Sequence, residues 1–190
     1  MLTTHRATSV IDHARLEVDL AGNLDAVFPD VVLAYQDGLY ATALRLTRSV
    51  HDAEDLAQEA LVRAYRALSE YDAGRFEELR LRPWLWTILL NLARNRARSR
   101  SRRPPPALLD DADAGARDGD VAAAATATVT VVAALGELRP IEREVVILRY
   151  VADLSLDEVA EALGRPLGTV KSHLHRSLRR LRATLGEESR

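Results

Sequence analysis

The chain is 190 residues long, room for one domain or two small ones, and its 47% hydrophobic and 28% charged residues are the balance of a globular protein. It has no cysteine, which excludes a disulfide framework and a thiolate metal site and fits a reducing, cytoplasmic setting. The net charge of −2 conceals a segregation: residues 79–103 hold eight Arg and no acid, residues 164–182 six cations and no acid, and residues 104–120 five Asp against one Arg. Two basic segments on a near-neutral chain point to two separate polyanion contacts, with solvated helix faces as the plain alternative.

Residues 1–25 show weak periodicity and read as a loosely ordered extension without the apolar run of a signal peptide. No apolar stretch approaches the ~20 residues of a membrane helix. From 26 to 103 the pattern is helical, with almost no strand-like alternation. In HDAEDLAQEALVRAYRALSEY, from His51, Asp52 is the expected N-cap, and Glu54 and Asp55 complement the helix dipole. Leu56, Ala60, Leu61, Ala64, Tyr65 and Leu68 form its core stripe. Asp55, Gln58, Glu59 and Val62 share another face, a small acidic patch with an apolar member that suits a protein partner. Spacing alone favours a plain solvated face.

In RLRPWLWTILLNLARNRARSRSRR (80–103), Pro83 is expected to open a helix whose buried stripe is Leu85, Ile88, Leu89 and Leu92. Trp84, Trp86, Asn91 and Asn95 lie off the centre of that stripe, and six Arg follow from Arg94, Arg98 among them. Aromatics beside amides and cations meet the needs of unpaired bases: stacking, edge hydrogen bonds and phosphate neutralisation. The alternative is that both tryptophans are core, Trp84 above all.

PPPALLDDADAGARDGD (104–120) then stops any helix and buries little, so it reads as a linker between domains 26–103 and 121–190. Helical periodicity resumes near Val121. In LGELRPIEREVVILRYVADL, Leu135, Leu138, Ile141, Val145 and Leu148 make a supporting stripe, and Glu142, Arg143 and Glu144 are expected to face water. Ser155 and Glu158 form a capping box, Val159, Ala160 and Leu163 an apolar face, Gly164 suits a left-handed helix end, and Pro166 suits the next first turn. This is a helix-turn-helix. In its second helix Val170, Leu174, Leu178, Leu181 and Leu185 are the buried stripe, while Lys171, Ser172, His175, Arg176 and Arg179 lie off it, as a major-groove reader requires. The alternative is an amphipathic helix in a bundle. His173 and His175 point about 200° apart on a helix and make a poor chelating pair.

DAEDLAQEAL, PWLWTILLNLARNRAR, a Pro- and Asp-rich linker and LRPIEREVVILRYVADLSLDEVAEALGRPLGTVKSHLHRSLRRLR, in that order, resemble the bacterial sigma factors, and the short layout resembles their extracytoplasmic-function (ECF) subgroup. The resemblance covers roughly residues 26 to 185. It implies an all-α fold of two small domains, sigma regions two and four, and no chemistry or cofactor of the chain's own, since polymerase holds the magnesium.

It further implies that Asp55, Gln58, Glu59 and Val62 dock on the β′ clamp of core RNA polymerase, with the β flap a further contact. Trp86, Asn91, Arg94, Asn95 and Arg98 would face the −10 element, and Thr169, Lys171, Ser172, His175, Arg176 and Arg179 the −35 element. Promoter DNA and an anti-sigma factor are the remaining partners implied. DAGRFEELRLRPW departs from common family versions in spacing, and the N-terminal extension has no clear family counterpart. A LuxR-type regulator shares TVKSHL, but it would need an α/β receiver that residues 1–103 do not suggest. A hydrolase or metal enzyme lacks any phosphate loop, triad or ligand-spaced cluster here.

Overall fold

A computed structural model describes residues 13–102 and 133–187, and these are helical, with no strand among them. The helices are α1 (His13–Gly22), α2 (Leu24–Thr47), α3 (Val50–Leu68), α4 (Ala73–Glu77), α5 (Leu81–Ser101), α6 (Pro140–Tyr150), α7 (Leu156–Leu163) and α8 (Leu167–Glu187). A further helical stretch at 133–137 precedes α6. The linker expected at 104–120 lies outside the described residues.

Local chemistry sets the boundaries. Asn23 opens α2, its side chain accepting from the Ala26 N–H at 3.1 Å. Arg48, at φ 59°, closes it by donating its N–H to Leu44 O. The cap of α3 is Ser49, not Asp52: the Ser49 hydroxyl accepts from the Asp52 N–H at 3.2 Å. That leaves the buried Asp52 carboxylate to Arg96, 2.9 Å away, and to Arg100. Helix α5 begins at Leu81, and Pro83 sits inside its first turn, where a missing N–H costs no intrahelical bond.

Helices α2, α3 and α5 pack together around Leu39, Ala43, Leu56, Ala60, Ala64, Leu85 and Leu89, all within 1% of complete burial. The alanines let the backbones approach closely. Tyr65, expected in this core, is 37% exposed at the rim; its hydroxyl donates to Asp25 at 2.6 Å and its ring meets Phe28 edge-on. Residues 13–22, expected to be loosely ordered, form α1 instead. Leu20 is buried, and His13 Nδ1 shares a 2.7 Å hydrogen bond with the Tyr35 hydroxyl. Burial pushes that hydroxyl far above its ordinary pKa, so it stays protonated.

The C-terminal helices pack against the same core. Val145, Leu148, Val159, Ala162 and Val170 belong to one cluster with the leucines of α5. A second cluster of Leu135, Leu138, Val146 and Ile147 lies against Leu174 and Leu181 of α8. Polar contacts line the seam between the halves. Arg82 donates to the carbonyls of Ala152 and Asp153 at 3.0 and 2.8 Å, and Thr87 to that of Ala162 at 3.3 Å. Arg94 grips both oxygens of Glu144, at 3.0 and 2.6 Å.

The expectation that Glu142, Arg143 and Glu144 face water is wrong for all three. Glu142 is completely buried between Arg139 and Arg180, at 2.8 and 3.0 Å. Glu144 is buried against Arg94. Arg143, half-buried, donates to the carbonyls of Leu135 and Gly136, which end the helical stretch before α6. Helix α6 is packed on several sides, so its acids survive burial only because each meets an arginine.

The Arg139 guanidinium, hydrogen-bonded to Glu142, holds that carboxyl below the usual carboxylate range against the opposing effect of burial. A depressed folded pKa adds stability at neutral pH that is lost as pH falls through it. Replacing Glu142 with Gln should therefore cost about 1–3 kcal/mol at pH 7 by thermal or urea unfolding. The gap to wild type should begin to narrow as pH falls below the ordinary glutamate value of about 4.3 and close only once pH passes beneath the lowered folded-state value, where both side chains are neutral. A gap that does not change with pH would contradict the ion-pair account.

Candidate nucleic-acid interface

The helix-turn-helix is built from α7 and α8. Ser155 accepts from the Glu158 N–H at 3.2 Å, and Glu158 accepts in return from the Ser155 N–H at 2.7 Å, which completes the capping box. Gly164 closes α7 at φ 60°, ψ 42°, a backbone state that L side chains reach only with strain. Val170 and Ser177 are buried and anchor α8, the Ser177 hydroxyl donating to the Glu142 carbonyl of α6 at 3.4 Å.

That anchoring leaves Lys171, Ser172, His175, Arg176 and Arg179 exposed, with Thr169 half-buried at the helix start. The Ser172 hydroxyl donates back to Gly168 O at 2.9 Å and keeps its acceptor lone pairs outward. Arg176 lies 3.2 Å from His173 Nδ1. Burial, and then the Arg176 charge, lower the His173 pKa, so at neutral pH this ring is uncharged and accepts from Arg176. His173 is half-buried while His175 is exposed, so they do not form a pair.

The second surface runs along α5. Asn91, Asn95 and Arg98 are exposed, and Arg98 donates to the Asn95 side-chain oxygen at 2.8 Å. Arg94 points instead to Glu144, and Arg96 to Asp52 and Asp55, both at 2.9 Å. The tryptophans exchange the places expected of them. Trp86 is 2% exposed, its Nε1–H donates to Thr42 Oγ1 at 3.0 Å, and its ring meets Tyr35 edge-on. Gly38 makes room for it: a Cβ there would lie 3.2 Å from the ring. Trp86 is thus a core residue, out of reach of a stacking base.

Trp84 is the half-exposed one. With Tyr71, Arg75, Ile88 and Asn91 it lines a cleft of about 320 Å³. Tyr71 and Trp84 have ring centroids 6.0 Å apart, and the Arg75 guanidinium lies 4.1 Å above the Tyr71 ring. Tyr71 and Arg75 are not among the residues singled out from the sequence, although they lie in the segment around DAGRFEELRLRPW. Their signal was the aromatic recurrence Tyr71, Phe76, Trp84 within one short segment, which has no helical period because the chain turns there.

On α3, Gln58, Glu59 and Val62 are exposed, and Glu59 pairs with Arg63 at 2.6 Å. Asp55 is half-buried; its hydrogen bond from Arg96 holds its carboxyl below the ordinary range. The four residues line one side of α3, turned away from the core.

Residues 31–103 match the Sigma-70 region 2 family and residues 129–181 the Sigma-70, region 4 family. The chain is 34% identical to the ECF RNA polymerase sigma factor SigW of Bacillus subtilis (strain 168) over 175 residues, 86% of this chain and 91% of that protein. It is 35% identical to the RNA polymerase sigma-E factor of Streptomyces coelicolor over 158 residues, 83% and 85% of the two chains. Among solved structures, CnrH in complex with the cytosolic domain of CnrY superposes with TM-score 0.69 at 25% identity, covering 92% of this chain and 97% of that one. The sigma factor RpoE bound to the anti-sigma factor NepR from Bartonella quintana gives TM-score 0.64 at 27% identity over 84% and 96%.

A helix-turn-helix half joined to a helical half with an arginine-rich helix and an aromatic cleft defines a promoter-binding initiation factor. The chain belongs to the ECF subgroup of bacterial RNA polymerase sigma factors, which direct core polymerase to promoters to start transcription. A LuxR-type regulator is not favoured.

Replacing Trp86 with Phe should lower stability by about 1–2 kcal/mol through the lost hydrogen bond to Thr42 and the smaller ring, with promoter selection unchanged in transcription assays. A change in promoter choice with stability intact would return Trp86 to the DNA-facing set.

Proposed function

We propose that the two exposed surfaces divide promoter recognition between them. Residues 26–103 and 121–190 act as separate recognition units, and neither performs catalysis. On α8, Lys171, Ser172, His175, Arg176 and Arg179 read the −35 element in the major groove. Thr169 and the backbone N–H groups at the start of the helix meet phosphate. On α5, Asn91, Asn95 and Arg98 face the −10 element, and the Tyr71–Trp84 cleft receives an unpaired base by stacking. Arg94 joins them once its ion pair with Glu144 opens.

The observation that carries this reading is the pairing of a cation-bearing recognition face on one half with an aromatic cleft on the other, lined by Asn91, Arg63 and Arg75 as well as by Glu70. The first suits duplex DNA and the second suits melted DNA. Gln58, Glu59 and Val62, with Asp55 beside them, are the surface offered to the polymerase clamp. One solved structure similar to this chain is a sigma factor in complex with the anti-sigma factor NepR, which supports such a partner for this chain.

The direct test is transcription in vitro with core polymerase over genomic DNA, with start sites mapped. Defined starts that depend on this chain are expected, and their absence would overturn the reading. Replacing Arg176 with Ala should weaken −35 binding by about 1–3 kcal/mol and relax specificity at one position. Replacing Trp84 with Ala should weaken binding to a template with an unpaired −10 strand by about 1–3 kcal/mol and leave duplex −35 binding unchanged. Equal losses on both templates would show that Trp84 acts through folding instead.

A further inference from the structure

We propose that α1 is a positioning element for the −10 cleft, and that Glu17 is the residue through which it acts. The inference rests on the reading of that cleft as the seat of an unpaired promoter base. It concerns a part of the chain that lies before residue 31, where the match to sigma region 2 begins.

The first turn of α5 has no cap of its own. Arg80 stands at the N-cap position and offers no side-chain hydrogen bond. The first N–H of the helix, on the fully buried Leu81, is satisfied from far away in sequence: the Glu17 carboxylate accepts it at 2.7 Å across 64 residues. A carboxylate there also faces the positive end of the α5 dipole. Trp84, one wall of the cleft, lies within that same first turn, and Asn91 follows two turns later.

Helix α1 also packs against α4, whose Arg75 lies over the opposite wall, Tyr71. One short helix therefore touches the supports of both walls. It is itself held at either end: His13 is bonded to Tyr35, and Leu20 is buried in the core. Tyr35 in turn packs on Trp86, the inward-facing neighbour of the cleft tryptophan. Removing the Glu17 acceptor leaves a buried N–H unpaired, so the first turn of α5 loosens and the separation of Trp84 from Tyr71 is no longer set.

The test uses polymerase holoenzyme reconstituted with the full chain carrying Glu17→Ala, Glu17→Gln, Glu17→Asp or Trp84→Ala. Promoter opening is followed by 2-aminopurine placed in the −10 element, and duplex −35 binding is measured alongside. Glu17→Ala should slow opening and weaken binding of a template with an unpaired −10 strand by about fivefold, the scale of a lost helix cap, with −35 binding unchanged. Glu17→Gln keeps a carbonyl acceptor for the Leu81 N–H and should recover most of the loss. Glu17→Asp keeps the charge but withdraws the acceptor; it should behave like Glu17→Ala and replaces it if that variant does not fold.

Normal opening by both Glu17→Ala and Glu17→Asp, with opening impaired in Trp84→Ala, would overturn the role of α1 and leave the cleft reading intact. Normal opening by Trp84→Ala would overturn the cleft reading itself. A parallel loss of −35 binding in the Glu17 variants would reduce Glu17 to a general stabiliser and overturn the proposal.

Discussion

The molecule depends on one helix serving three neighbours at once. Helix α5 buries Leu81, Leu85, Leu89 and Leu92 in the core it shares with α2 and α3, and it carries the C-terminal half on another side through Arg82, Thr87 and Arg94. The strip bearing Trp84, Asn91, Asn95 and Arg98 remains open for a further contact. The orientation of that strip follows from Trp86, whose indole is pinned by Thr42 and fitted over Gly38. A helix so constrained cannot rotate without breaking a buried hydrogen bond, so Asn91, Asn95 and Arg98 are displayed at a defined angle.

Arginine is the second organising theme. On α5, Arg94 and Arg96 meet acids on other helices, and so does Arg82 at the seam. Only part of the basic character read from residues 79–103 is thus available to a polyanion. The Arg94–Glu144 pair is partly shielded from solvent, with Glu144 buried, and it ties α5 to α6. The Arg94 guanidinium is therefore already committed to Glu144 in this arrangement. Added salt weakens such a partly shielded pair less than it weakens the exposed ones.

The seam also explains the buried acids of α6. Their charge patterning is that of a solvated surface, and in an isolated C-terminal half Glu144 would face water. Packed against α5, it needs Arg94 as its partner. Glu142 differs, being enclosed within the C-terminal half itself by Arg139 and Arg180. The first acid belongs to the arrangement of the two halves and the second to the local fold, and a linear pattern cannot distinguish the two.

The all-helical class, the helix-turn-helix with its capping box and Gly164 turn, and the outward set on α8 were legible from residue order alone, because each rests on interactions within about four residues: helical period, end capping and left-handed glycine. Which tryptophan faces the cleft was not legible. Trp84 and Trp86 are two positions apart, so the choice between core and surface depends on where Thr42 and Gly38 lie in a different helix. The cap of α5 was equally hidden, since Glu17 reaches it across 64 residues. The sequence by itself determined the kind of helices and the chemistry each face carries. Only the tertiary structure decided which charges are already paired and which aromatic stands open, because both are set by contacts between segments distant in the chain.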